Sequence, residues 1–164
     1  MNAEMGEFLV GAYLKVIEGC DFVGYNVRPP GGGLRGLEEL DVVGLHFATR
    51  TAFLCEVTTH IGGLLYVDNS TTVLRVEAKH RRQKNYAEAQ LKEFPNRRYQ
   101  FWSPVVPRGY LTQRLALIDP ELELVINMEY AERVDELRKA ARTRKNDENN
   151  PAFRLLQILE HLRR

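Results

Sequence analysis

Apolar residues recur along the chain with two different periods, and each period predicts one kind of element. Spacings of three and four from Glu4 to Ile17 predict an amphipathic helix, which Gly19 ends. Runs rich in aromatic and β-branched residues predict strands. These strands are expected at residues 22–27, 37–47, 52–59, 99–106 and 122–126. The short polar break from Thr49 to Thr51 predicts that the second and third strands form a hairpin.

Helical patterns alternate with these strands along the rest of the chain. A long helix is expected to be capped by Ser70 or Thr71 and to run to Phe94, where Pro95 stops it. Further helices are expected near Gly109, over 129–145 and over 151–162. This order predicts an α/β fold, specifically an α/β/α sandwich with a central mixed sheet. We expect a single domain over residues 1–164, with its core at about 4–127 and C-terminal helices at about 128–164.

Composition narrows the class of protein. The chain is 44% hydrophobic and 27% charged, values that are ordinary for a soluble globular domain. Its formal net charge is +1, so a nucleic-acid role requires local clustering of positive residues. Cys20 and Cys55 have no second pair, which favours two buried, reduced thiols. No signal-peptide pattern and no run of roughly 20 apolar residues occurs, so we expect a cytoplasmic protein without a membrane partner.

Two carboxylates interrupt otherwise apolar predicted strands. Asp41 stands within the second of these strands and Glu56 within the third. Acidic side chains are seldom buried unless they are paired or bind a cation. Oxygen ligands from neighbouring strands are what Mg²⁺ prefers, so a divalent metal would explain both acids. In the alternative, both acids lie at strand ends, solvated or paired with arginines such as Arg35 and Arg50.

The order of several short motifs resembles a known family. The motifs are Gly6-Glu7, Asn26-Val27-Arg28, a Gly-rich loop, Glu39-Leu40-Asp41 and Glu56-Val57-Thr58. Over residues 5–95 they resemble the catalytic core of PD-(D/E)XK nucleases, closest in character to archaeal Holliday-junction resolvases and restriction-endonuclease-like proteins. The resemblance implies a restriction-endonuclease-like fold and Mg²⁺- or Mn²⁺-dependent cleavage of DNA, which could be branched or structured.

The resemblance also implies roles for individual residues. Asp41 and Glu56 would bind the metal directly, with the carbonyl group of Val57 as a third ligand. Glu7 would bind a second ion or orient a metal-bound water. In the alternative, Glu7 is an exposed first-turn glutamate that complements the helix dipole.

Thr58 departs from the family, which has a lysine at this position. A threonine hydroxyl can hold a water or a phosphate oxygen, but it supplies no positive charge to the transition state. We therefore expect Lys79, on the following helix, to replace the missing lysine. At roughly 100° per residue, Lys79 and Lys84 flank the apolar seam of that helix, whereas His80 and Gln83 lie near its centre. In the alternative, Lys79 is a solvated surface lysine, and His80 and Gln83 are hydrogen-bonded core residues.

A cluster of basic residues on the same helix predicts DNA binding through phosphate contacts, although charge runs on helices are usually only solvated faces. The cluster consists of Lys79, His80, Arg81, Arg82 and Lys84. The sequence thus favours a metal-dependent endonuclease. The alternative is an inactive nuclease-fold protein that serves as a DNA-binding or protein-interaction module. The predicted helix over 151–162 could form a homodimer interface or cap the core.

Overall fold

The computed structural model describes residues 3–31 and 39–163. Three features named above lie outside the described residues. They are Arg35, a possible partner of the two acids, Leu37, the expected start of the second strand, and most of the Gly-rich loop. The elements in chain order are α1 (Met5–Val16), β1 (Phe22–Val27), β2 (Leu40–His46), β3 (Thr51–Val57), α2 (Asn69–Gln90), β4 (Asn96–Ser103), α3 (Tyr110–Ala116), β5 (Leu122–Ile126), α4 (Asn127–Thr143) and α5 (Pro151–Leu162).

The described strands form one five-stranded sheet in the order β1-β2-β3-β4-β5. β1 pairs with β2, and β2 with β3, in antiparallel, whereas β3 pairs with β4, and β4 with β5, in parallel. The predicted hairpin of β2 and β3 is confirmed, with Val42 opposite Cys55. The sheet is therefore mixed, as the sequence predicts.

Helices cover both faces of the sheet. On one face, Val76 of α2 and Leu111 of α3 pack against Leu54 of β3. On the other, Leu14 of α1 and Tyr130 of α4 pack against strand residues such as Trp102. The predicted α/β/α layering is thus observed.

The last helix completes the outer layer on the α1 side. Phe153 of α5 is buried in a third cluster with residues of α1 and α4, so α5 caps the core. Its other face exposes Leu155, Ile158, Leu159 and Leu162. The homodimer remains a prediction.

Several boundaries differ from expectation for local reasons. α2 begins before Ser70 because the carboxylate of Asp68 accepts the backbone N–H of Thr71 at 2.7 Å and caps the helix. The same helix ends at Gln90, before the predicted Phe94. β4 ends at Ser103, because Pro104 has no N–H to donate to the ladder.

Two composition-based expectations can be compared with the structure. Cys20 and Cys55 are both buried and free, as predicted, and burial raises the pKa of the Cys20 thiol to about 12. Among the helices of the described ranges, none has both the length and the apolar character that a membrane span requires.

Candidate metal centre and adjoining groove

Asp41 and Glu56 lie side by side on neighbouring strands. Since Val42 is opposite Cys55 in the antiparallel ladder, Asp41 and Glu56 are the next residues in register. Asp41 is half-buried, and its Oδ2 accepts the backbone N–H of Val57 at 2.8 Å. The side chain of Glu56 is only 1% exposed. Strand pairing therefore brings the two predicted carboxylates together.

Lys79 reaches this pair from α2. Its Nζ lies 2.9 Å from Oε2 of Glu56, and its side chain is 22% exposed. The prediction that Lys79, the flanking lysine nearer the start of the helix, approaches the end of β3 is thus confirmed. Arg50, an alternative partner for the acids, instead contacts Glu93.

Burial disfavours the charged form of the Glu56 carboxyl. Loss of hydration, and to a smaller extent the charge of Asp41, raises its pKa to about 8, against the opposing effect of Lys79. Burial would lower the pKa of Lys79, but the negative charges of Glu56 and Asp41 outweigh it and the net shift is upward. Lys79 consequently remains charged at neutral pH.

One oxygen of the Glu56 carboxyl lacks a partner within the described part of the chain. Among the described residues, no hydrogen-bond donor reaches the buried Oε1 atom. A buried acceptor left in this condition is costly, because the water that it lost is not replaced. A hard cation beside Oε1 would supply the missing partner.

The residues present could bind Mg²⁺ only with few protein ligands, which is the usual way in which proteins bind this ion. Mg²⁺ is commonly held by one or two carboxylates, with water and substrate phosphate filling the other positions. Asp41 and Glu56 supply the carboxylates, and Val57, whose carbonyl group is the predicted third ligand, is the last residue of β3 and lines a neighbouring cavity. Within residues 3–31 and 39–163, however, no three His, Cys, Asp or Glu side chains form a group that could hold a metal. Glu7 thus does not complete a group of three with Asp41 and Glu56, and its predicted role, binding a second ion or orienting a metal-bound water, stays a prediction.

Glu7 nevertheless lies close to the centre. Its position depends on Gly6, where a Cβ atom would lie 2.1 Å from Cγ2 of Thr59, so that only glycine lets α1 approach so closely. Oε2 of Glu7 accepts the N–H of Glu4 at 2.9 Å, which is a role in helix capping. Burial raises the pKa of Glu7, and the charge of Asp41 adds to this effect. Glu7 also lines a cavity of about 300 Å³ together with Val57.

Thr58 is directed into the fold. It is buried, its hydroxyl donates to Oγ of Ser103 at 2.8 Å, and its backbone N–H donates to the carbonyl of Trp102. The hydroxyl hydrogen expected to hold a water or phosphate oxygen is thus already committed to Ser103.

The predicted basic cluster on α2 divides into two parts. One part lines an open groove of about 640 Å³ beside the candidate centre. Arg82 is near enough to Glu56 that its charge lowers the pKa of that carboxyl. Sequence reasoning missed Arg75, although it stands one helical turn before Lys79 and therefore on the same face. The residues lining the groove are Tyr66, Arg75, Ala78, Lys79, Arg81, Arg82 and Asn85.

The other part of the cluster lies outside the groove. His80 is buried, with Nε2 2.9 Å from Asp119 and Nδ1 3.1 Å from Gln83, so the predicted DNA contact of His80 is wrong. Lys84 also pairs with Asp119, at 3.0 Å, and with Glu121 at 3.4 Å. It does not line the groove, and the structure does not support its predicted DNA contact. Gln83 donates to two strand carbonyls and is a core residue, as the alternative had it.

No protein-family model, curated protein or solved structure matches the chain.

Proposed function

We propose that this protein is a metal-dependent endonuclease of the PD-(D/E)XK type, with a restriction-endonuclease-like fold, that hydrolyses DNA phosphodiester bonds. The observation that carries the proposal is the buried Glu56 carboxylate, whose Oε1 has no partner among the described residues. Buried polar atoms without a hydrogen-bond partner are rare in native folds, and a bound ion or a catalytic role is among the explanations for them. Asp41 beside it and Lys79 in contact with it make a polar centre suited to phosphate chemistry.

Asp41, Glu56 and the carbonyl group of Val57 would hold Mg²⁺ or Mn²⁺. The bound ion would supply Lewis-acid polarisation of a phosphoryl oxygen. Removing the ion would leave two neighbouring carboxylates whose negative charges disfavour one another. The affinity for metal should therefore depend on both acids.

Lys79 supplies the positive charge that Thr58 lacks. Its Nζ lies 2.9 Å from Glu56, and its raised pKa keeps it protonated. A fixed cation at this position stabilises negative charge as it develops on the phosphate. Glu7 lines the neighbouring cavity and is suited to orienting a water there.

The groove along α2 gives the substrate a path to this centre. Lys79 belongs both to the groove and to the ion pair with Glu56, so a strand in the groove passes the carboxylates. Arg81 and Arg82 would contact phosphates, which provides affinity without sequence readout.

The test is to incubate the protein with single-stranded DNA and with linear, nicked and branched duplex DNA in Mg²⁺ or Mn²⁺. We expect Glu56→Ala and Lys79→Ala each to lower the cleavage rate by about 10²-fold or more, the usual effect of removing a group that stabilises transition-state charge. Lys139→Ala is the control, because Lys139 lies on the exposed surface of α4 and does not line the groove. Thermal unfolding of each variant separates loss of activity from loss of fold.

The outcomes distinguish the parts of the proposal. Cleavage that survives Glu56→Ala would refute the metal assignment. A normal rate in Lys79→Ala would remove only the role of the lysine. DNA binding that weakens with salt, without cleavage in either metal, would favour the inactive DNA-binding module.

A further inference from the structure

The groove extends well beyond the candidate metal centre. The cavity at Glu7 and Val57 shares Tyr66 with the groove. At the other end, the groove shares Arg82 and Asn85 with a further cavity of about 280 Å³ that reaches Gln90. From Arg75 to Gln90 the helix rises about 22 Å, which matches roughly six nucleotides of one stacked strand.

A stack of two planar groups stands where the groove meets the centre. The guanidinium carbon of Arg75 lies 4.6 Å from the ring centroid of Tyr66. The His60 ring packs edge-on against the same tyrosine, with 5.3 Å between centroids. Aromatic rings and guanidinium planes are the groups on which proteins stack unpaired bases.

The loop from Thr58 to Asp68, here called the β3–α2 loop, carries exposed apolar residues next in sequence to both rings, since Ile61 follows His60 and Val67 follows Tyr66. Ile61 is 76% exposed and Val67 is 85% exposed. Val67 also has φ +63°, a conformation that β-branched residues rarely adopt. Neither burial nor backbone geometry explains a valine at this position.

The same loop is held in place between its exposed residues. Leu64 is buried and its N–H donates to the carbonyl of Val105 at 2.9 Å. The N–H of Tyr66 donates to Oγ1 of Thr72 at 2.8 Å. A surface ordered before binding avoids the entropy cost of ordering it on binding.

We propose that the β3–α2 loop and Arg75 bind an unpaired nucleotide of a DNA strand whose phosphates follow Arg81 and Arg82, so that the substrate is single-stranded DNA. This inference rests on the proposed function for cleavage but makes its own claim about binding. In an intact duplex the base faces are stacked on one another, and the backbone offers Ile61 and Val67 only phosphates and sugars. Unpaired bases offer apolar faces to these side chains and to the Arg75–Tyr66 stack.

Binding is measured by fluorescence anisotropy with a labelled single strand and with the duplex of the same sequence, in EDTA so that nothing is cut. We expect the single strand to bind more tightly. Arg75→Ala should weaken single-strand binding roughly 5- to 150-fold, the range for loss of one stacked base. Arg75→Lys keeps the charge but loses the plane, so it should also weaken the single strand while changing duplex binding little.

Further variants protect the result from folding effects. Val67→Ser alters only an exposed side chain and should weaken the single strand selectively. Lys139→Ala, on the exposed surface of α4, is the control and should change neither affinity.

Equal affinity for single strand and duplex would overturn the inference, as would full single-strand affinity in Arg75→Lys. Absence of DNA binding would also overturn it. A single-strand preference in a protein that cuts no DNA would support the inference and refute the proposed nuclease instead.

Discussion

Replacing Glu56 with glutamine should stabilise the metal-free protein. Glutamine has almost the same shape as glutamate but no charge, so the substitution removes the cost of keeping a buried carboxyl away from water. Lys79 loses the carboxyl oxygen to which its Nζ donates, but its side chain is 22% exposed and its amine can turn towards solvent. The protein would then be more stable without one of its proposed catalytic groups, which is a recognised trade-off at active sites.

The magnitude follows from the shift of the pKa from 4.5 to about 8. Below the ordinary pKa both folded and unfolded chains hold the proton, and Glu56 does not affect stability. Between these two pKa values only the unfolded chain is ionised, so stability falls as pH rises, by about 1.4 kcal/mol per pH unit. At pH 7 the cost is on the order of 3 kcal/mol, and it levels off above the folded-state pKa.

The assay is urea unfolding of wild type and Glu56→Gln in EDTA across this pH range. We expect the two free energies of unfolding to converge near pH 4.5 and to separate as the pH rises. Adding Mg²⁺ should stabilise wild type and leave the variant unchanged, because only a chain with an intact site gains from binding.

A variant that is less stable than wild type at neutral pH would refute the reasoning. So would a stability difference that does not change with pH. Either result would mean that the Glu56 carboxyl is well solvated or well partnered in solution, and the proposed metal centre would lose its main support.

Two further predictions concern packing and acid stability. Gly6→Ala should lower the free energy of unfolding by on the order of 1–3 kcal/mol, because the new Cβ atom would clash with Cγ2 of Thr59. Adding Thr59→Ser removes Cγ2 and should restore much of this loss in urea unfolding. Strictly additive losses in the double variant would contradict the prediction. Hydrogen bonds from Arg142 and Arg138 lower the pKa of Glu160 to about 2, so its contribution to stability is present above 4.5 and is lost as the pH falls towards 2. The free energy of unfolding of Glu160→Gln should therefore fall less steeply than that of wild type as the pH is lowered from 4.5 to 2. Unfolding is followed by the fluorescence of the single tryptophan. Superimposable curves of stability against pH would show that the pairing of Glu160 contributes nothing.

The fold was predictable wherever local signals agreed. β1 and β5 occupy the predicted residues, because each is a run of β-branched and aromatic or aliphatic residues bounded by turn formers. α5 begins at Pro151 as predicted, after Asn150 accepts the N–H of Phe153. The predicted cap of α2, Ser70 or Thr71, lies two or three residues after the observed cap Asp68, because several neighbouring polar residues could all have served as the cap.

Only those parts of the candidate site that depend on helix and strand periodicity could be predicted from the sequence. Alternation along the strands and helical phase brought Glu56 and Lys79 together correctly. The partner of His80 and Lys84 is Asp119, which is 39 and 35 residues away and belongs to the turn before β5. No local pattern indicates such a contact. The contact of Arg75 with Tyr66 could not be predicted for a related reason, because it requires the β3–α2 loop to fold back onto α2.

Asp119 also has a consequence for the groove that it does not touch. Through His80 and Lys84 it holds one flank of α2, while the ion pair of Lys79 with Glu56 holds the other. Two attachments on different sides of a cylinder fix its rotation about the long axis. A slip by a single residue would roll α2 by roughly 100° and turn the arginines away from the strand they face. A carboxylate on the far flank thus sets the direction in which the basic side chains point.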